Sequence, residues 1–199
     1  MVIVMSFLMI GMIAIMLPRA DVAARRVNEV LETESSIADP VQSKAGELDS
    51  SAEGLAVQFD HVTFAYSRGS SPVLDNIDFT AEPGQTTAII GPTGSGKSSI
   101  IKLVERFYDV AEGSVRVGGI DVRDMKQDEL RKELGYVPQK AFLFSGTIGS
   151  TIAYSNEAMD EERIRSAAEI AQATEFIDAK AEGMQTAISQ GGTNVSGGQ

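Results

Sequence analysis

Residues 86–100 read TTAIIGPTGSGKSSI, and the fold turns on how this run is understood. Gly91, Gly96, Lys97 and Ser98 complete the spacing G-x-x-x-x-G-K-[ST]. Each residue type answers a need of phosphate binding. Glycines let successive backbone N–H groups turn inward around phosphate oxygens, and a helix starting behind them points its positive end at the same anion. A lysine supplies charge for the β- and γ-phosphates, and a serine hydroxyl suits Mg2+. The run Thr87 to Ile90 predicts a strand entering the loop, and SSIIKLVERFY at 98–108 predicts a helix leaving it. A bland glycine–serine turn would need neither. The loop Gly91, Pro92, Thr93, Gly94, Ser95, Gly96, Lys97, Ser98 and Ser99 is therefore expected to cradle a nucleotide polyphosphate.

Strand and helix patterns continue on both sides. LAVQFDHVTFAY at 55–66 alternates at period two and is rich in Val and Phe, and VLDNIDFTA at 73–81 reads as a further strand. SRGSSP and EPGQ are the turns between these runs. The lone histidine, His61, falls in the first strand as a polar surface residue. Downstream, GSVRVGGIDV at 113–122 predicts a short strand pair, and KQDELRKEL at 126–134 a polar helix. A short apolar strand is expected just before Gln139. From Asp160 to Phe176, acids crowd the first turn and Ile164, Ala167, Ala168 and Ala171 form a stripe, which predicts one more helix. Strands alternating with helices indicate an α/β domain.

The N-terminal part differs in kind. Residues 1–17, MVIVMSFLMIGMIAIML, carry no charge, and Pro18, Arg19, Arg25 and Arg26 follow. A signal peptide has its basic residues before the apolar core, not after it. A buried soluble helix is striped rather than apolar all round. The remaining reading is a transmembrane α-helix whose arginines mark its cytoplasmic exit, slightly short of the about 20 residues a bilayer needs. Ala23, Val27, Val30 and Leu31 continue as an amphipathic stripe, with a bend expected at Pro18. Residues 32–53 hold six acids and one lysine, the composition of a hydrated, extended linker. The expected organisation is thus a membrane helix and its extension over 1–31, an acidic linker over 32–53 and a nucleotide-binding domain over 54–199.

Composition narrows the function classes. A formal net charge of −11 argues against a general nucleic-acid binder, which needs a basic surface. The absence of cysteine excludes disulfides and thiolate metal sites.

Three further pieces surround the loop: Tyr66 upstream, Gln139 within LGYVPQKAFLFSGTI, and NVSGGQ at 194–199. Together they resemble the ATP-binding cassette (ABC) family of P-loop NTPases, in the exporter branch that fuses a membrane domain to the cassette. VERFYDVAEGSVRVGG and FLFSGTI are similar to that branch's own phrases, and the resemblance covers essentially the whole chain. It implies that Tyr66 stacks on adenine, that Lys97 and Gln139 serve the chemistry, and that Ser98 and Gln139 reach Mg2+. It implies that Ser196, Gly197, Gly198 and Gln199 contact the ATP held by a second ABC subunit, identical or different. Stacking suits an aromatic ring because it takes the base face without a set hydrogen-bond pattern. The departures are Val195 where leucine is usual, Thr151 where asparagine is common, and no acid just before the signature.

The resemblance carries expectations about what lies outside these residues. In this family an aspartate, a glutamate and a switch histidine follow the signature, and six membrane helices precede the cassette. The chain is accordingly expected to be an internal piece, binding nucleotide poorly by itself and showing no sustained ATPase turnover. The implied parent is a plasma-membrane exporter subunit, multi-pass, with a cytoplasmic cassette and an unread substrate. A non-hydrolytic regulatory half of a heterodimer is the alternative. A soluble P-loop ATPase fits less well, because it needs neither the apolar helix nor SGGQ.

Overall fold

The computed structural model describes residues 1–48, 54–67, 69–139, 142–154 and 159–196. The chain divides into two units, Met1–Gly135 and Tyr136–Gln199, each with its own core.

Helix α1 spans Val2–Leu31 without interruption and carries Pro18 inside it. Proline removes one i→i−4 bond there, and the helix runs on through the site. None of α1 is buried, and its most apolar window has a mean hydropathy of 2.2. It is the one described helix long and apolar enough to cross a membrane by length and composition.

The first unit is built on an antiparallel sheet in the order β2-β1-β3-β4. Its strands are β1 (Val57–Phe64), β2 (Leu74–Ala81), β3 (Glu112–Val117) and β4 (Ile120–Asp121). In β1 the buried residues are Phe59, Val62 and Phe64, so the inward phase slips by one between the first two. A bulge at Asp60–His61 makes the slip, with His61 at φ 50. Without it, strict alternation would bury His61 and Thr63 in place of Val62 and Phe64. Gly113 on β3 faces the bulge, where any Cβ would run into the Asp60 and His61 carbonyls. Phe59 also stacks on its cross-strand partner Phe79, ring centroids 4.7 Å apart.

Helix α2 (Lys97–Val104) buries Ile100 and Leu103 against this sheet. Each fully buried side chain of this size contributes about 1.5–3 kcal/mol. The helix ends earlier than the expected run to residue 108. Arg106 turns left-handed at φ 52, and the Phe107 N–H bonds back to the Lys102 carbonyl at 2.9 Å. That is a Schellman-type closure, which satisfies carbonyls the last turn leaves open. Helix α3 (Gln127–Lys132) closes the core with Leu130.

Within the stretch expected to be a hydrated, extended linker, residues 38–48 are instead seated on this unit. Arg106 donates to the Ala38 carbonyl at 3.0 Å, Gln127 N–H to the Asp39 carboxylate at 3.0 Å, and Lys44 N–H to the Asp124 carbonyl at 2.9 Å. The Lys44 ammonium pairs with Asp124 at 2.7 Å, and Ser43 donates to Glu129. Ala45 and Leu48 pack against the core. Composition missed this because the seat is made of complementary polar groups, which read from sequence as hydration.

Two expected strands do not form. Thr87–Ile90 and the apolar run before Gln139 have no regular secondary structure and belong to no sheet, and Ile90 and Val137 are 91% and 92% exposed. A strand exists only through a neighbour's backbone groups. No described strand pairs with either run.

The second unit is small and mostly helical. Strands β5 (Gly146–Thr147) and β6 (Ala187–Ile188) pair antiparallel. Helix α4 (Ile148–Ile152) opens on a capping box, with Ser150 N–H bonding Thr147 Oγ1 at 3.1 Å and Thr147 N–H bonding Ser150 Oγ at 2.8 Å. Helix α5 (Glu161–Ile170) is capped by the Asp160 carboxylate, which accepts from Arg163 N–H at 2.8 Å. The expected single helix to Phe176 breaks after α5, with Gln172 at φ 56, and resumes as α6 (Thr174–Asp178). Ala168 and Ile177 both enter the core of Ile148 and Ile188. In one continuous helix, nine residues of separation at about 100° each would put them on opposite faces. The break brings them to the same side.

Candidate nucleotide-binding site

The loop 91–96 leads directly into α2. Gly94 and Gly96 both take φ of 86°, the left-handed region that glycine enters at no steric cost. Gly96 is the N-cap of α2, and a Cβ there would sit 2.7 Å from Leu74 Cδ2 and 3.0 Å from the Val73 carbonyl. Only glycine fits that seat. The Lys97 and Ser98 amides open the helix and have no backbone acceptor among the described residues. The Lys97 ammonium lies over the loop, 2.9 Å from the Gly91 carbonyl, 2.6 Å from that of Pro92 and 3.3 Å from Ser95 Oγ.

This donor set suits a polyphosphate. Unsatisfied amides at a helix N-terminus and one ammonium converge on one loop, in a chain whose net charge is otherwise strongly negative. For Mg2+, a hard cation that takes oxygen ligands, the loop offers the exposed Ser98 hydroxyl. That donor is compatible with a cation shared with phosphate oxygens.

Tyr66 stands beside the loop. Its hydroxyl shares a 2.8 Å hydrogen bond with Ser99 Oγ, and Ser99 is buried in the first turn of α2. The ring meets Phe64 and Tyr108 edge to face at 4.9 and 5.1 Å, with Lys102 Nζ 5.5 Å from its centroid. It is 45% exposed, so part of an aromatic surface faces outward next to the loop.

Of the expected site residues, Tyr66 and Gly91 to Ser99 are brought together in the first unit. Gln139 and Ser196 belong to the second unit, where both are exposed. Gln139 follows an irregular run rather than a strand. Ahead of Ser196, Asn194 ties its turn down, accepting from Ser189 N–H at 3.0 Å and donating to the Ala187 carbonyl at 2.7 Å. Gly197, Gly198 and Gln199 lie outside the described residues. His61 is on the solvent side of the sheet. The ring donates a hydrogen bond to the Asp60 carboxylate, and that bond and the charge of Asp78 raise its pKa above the ordinary histidine value.

Sequence reasoning placed Ser99 in the phosphate loop but not against Tyr66, and did not single out Lys102 or Tyr108. Ser99 and Lys102 are three residues apart on one helix face, and that spacing was the available signal. Tyr108 carried none, since its approach depends on the left-handed turn at Arg106.

A family model described as "ABC transporter" matches residues 74–199. The chain is 41% identical over 202 aligned positions to an uncharacterised ABC transporter ATP-binding protein of Mycobacterium tuberculosis, covering 99% of this chain and 34% of that one. It is 39% identical over 181 positions to a multidrug efflux ATP-binding/permease protein of the same organism, covering 91% of this chain and 15% of the other. The structure is similar to that of a bacterial Atm1-family ABC exporter with ATP bound, with a TM-score of 0.84 and 33% identity over 96% of this chain and 32% of that one. The chain thus spans about a third of the length of the first of these relatives.

Proposed function

The chain belongs to the ABC transporter family and carries its P-loop ATP-binding fold behind an apolar N-terminal helix, and from that premise we propose that it is the ATP-binding part of an exporter subunit. ATP binding and hydrolysis at an interface between two such subunits, identical or different, drive export of a substrate across the plasma membrane. Residues 1–31 form the end of the membrane domain, 32–53 the connection and 54–199 the cytoplasmic nucleotide-binding domain.

The observation that supports this reading is the meeting of three features at one helix start. They are left-handed glycines, the Lys97 ammonium at the loop mouth, and Tyr66 bonded to the first turn of α2. In the proposed site the loop Gly91–Ser99 holds the phosphates, chiefly through the open Lys97 and Ser98 amides and the Lys97 ammonium, and Tyr66 supports the adenine. Ser98 and Gln139 are the residues that would hold Mg2+, which when bound would supply positive charge to the phosphates. Gln139 also orients the attacking water. Ser196, Gly197, Gly198 and Gln199 face the nucleotide held by the other subunit, where a hydroxyl and glycine amides suit the γ-phosphate.

Displacement of a fluorescent ATP analogue from the full chain in lipid nanodiscs tests the reading. ATP competes in the unaltered chain, weakly, as expected of these residues by themselves, and Lys97→Ala weakens that competition by a further tenfold or more. Equal competition in both removes Lys97, and with it the loop, from the site.

A further inference from the structure

Helix α2 presents two residues to one aromatic ring. Ser99 and Lys102 lie three positions apart, which puts them on the same helix face. Ser99 holds the Tyr66 hydroxyl at 2.8 Å, and Lys102 Nζ sits over the Tyr66 ring, 5.5 Å from the centroid. The same ammonium is 5.9 Å from the Tyr108 centroid. Tyr108 and Phe64 meet the Tyr66 ring edge to face and lie 5.6 Å from each other. Tyr66 is therefore fixed at its hydroxyl, at its edges and on one face, although it is nearly half exposed.

Lys102 makes no ion pair among the described residues. In a chain with 28 acidic residues, its ammonium is placed on two tyrosine rings instead. A lysine in the last turn of a helix also gains from the carbonyl end of the dipole, and that role needs no aromatic partner. The geometry is that of a cation–π contact, within about 6 Å of the ring centre.

We propose that Lys102 is a positioning residue of the nucleotide site, holding Tyr66 in place as a platform for the base of a purine nucleoside triphosphate. This rests on the reading of Tyr66 as that platform. A ring ordered in advance loses little freedom when the base stacks on it, so binding is tighter than to a ring free to rotate. Lys102 acts through Tyr66 and not on the phosphates. Its effect appears in ligands that carry a base and vanishes in those that do not.

The test uses the full chain in lipid nanodiscs, with ATP, GTP and inorganic tripolyphosphate as competitors of a fluorescent nucleotide. Lys102→Met weakens ATP and GTP by about threefold to tenfold and leaves tripolyphosphate within twofold of the unaltered chain. Lys102→Arg, which keeps a cation over the ring, restores the nucleotide affinities. Lys102→Gln repeats the loss and guards against a folding defect peculiar to methionine. Equal weakening of tripolyphosphate overturns the proposal, because Lys102 then acts as charge at the phosphates or as general structure. Unchanged nucleotide affinity in Lys102→Met also overturns it. Tyr66→Ala separates the two levels. If it lowers the ATP-to-tripolyphosphate preference while Lys102→Met does not, the platform reading stands and the Lys102 inference falls. If Tyr66→Ala leaves that preference unchanged, the platform reading falls and takes the inference with it.

Discussion

Replacing Arg106 is the sharpest structural perturbation. Its side chain is 4% exposed, and its guanidinium donates to Asp109 at 3.1 Å, to the Met125 carbonyl at 3.0 Å and to the Ala38 carbonyl at 3.0 Å. One residue thus ties the end of the P-loop helix to β4's following turn and to the seated segment that leads back to α1. Each hydrogen bond from a charged donor is worth about 1.5–3 kcal/mol, but bonds to one group are not additive. Asp109 is part-exposed, so the loss for Arg106→Ala comes mainly from the two bonds to carbonyls and is about 3 kcal/mol. The backbone offers a control. Arg106 occupies a left-handed conformation, φ 52, which costs a non-glycine residue about 1–2 kcal/mol. Arg106→Gly removes the same bonds and relieves that cost, so it is less destabilising than Arg106→Ala by about 1 kcal/mol. Hydrogen exchange read by mass spectrometry on residues 38–48 is the assay. A loss of about 3 kcal/mol lowers protection there by roughly a hundredfold. Protection within twofold of the unaltered chain in Arg106→Ala would refute the reasoning, as would Arg106→Gly proving the worse of the two.

Three further outcomes follow from local geometry. Gly96→Ala and Gly94→Ala share the same φ, but only the first drives a Cβ into Leu74 and Val73. Gly96→Ala therefore lowers the melting temperature more, by an added about 1–3 kcal/mol of overpacking, and a melt ranking Gly94→Ala as equal or worse contradicts this. The Asp39 carboxylate is held below the ordinary carboxylate range by the Gln127 backbone N–H and then by its side chain. Its support of the seated segment is thus complete above the unfolded value of about 3.9 and is lost as pH falls through the lower folded value. The Gln127 amide resonance should titrate with a midpoint below about 3.9 and stay flat in Asp39→Asn; a midpoint above that value tells against the cap. His61, as the only histidine, gives a single ring signal by NMR. Its pKa is raised, so its contribution is full below about 6.5 and fades as pH rises through the folded value. Asp60→Asn brings the midpoint back toward about 6.5, and an unmoved midpoint removes Asp60 as the main cause.

The loop and its neighbours were legible in the sequence because they rest on local requirements. Gly96 must accept both a left-handed turn and a crowded seat, and the amphipathic run after Lys97 can only be a helix. The strands from Val57 to Asp121 were legible for a similar reason, since alternation reports a half-buried face. Where the expectation failed, the deciding partner was remote in sequence. Thr87–Ile90 has the composition of a buried strand, yet pairing depends on a neighbour that no run of residues can announce. The seat of residues 38–48 depends on Arg106, Asp124, Gln127 and Glu129, which lie on average many turns of chain away. Gln172 ends α5 because Ala168 and Ile177 must share one small core, a demand invisible to the alanine stripe.

The most direct measurement is photolabelling of the full chain in its membrane with 8-azido-ATP, followed by mapping of the labelled peptide. An azide on the base reacts with whatever the base rests on. The label should fall on the peptide containing Tyr66, and Lys97→Ala should abolish it by removing the phosphate anchor. Label on that peptide undiminished in Lys97→Ala, or label falling elsewhere in the chain, would contradict the account of one site built from Tyr66 and the loop at Gly91–Ser99.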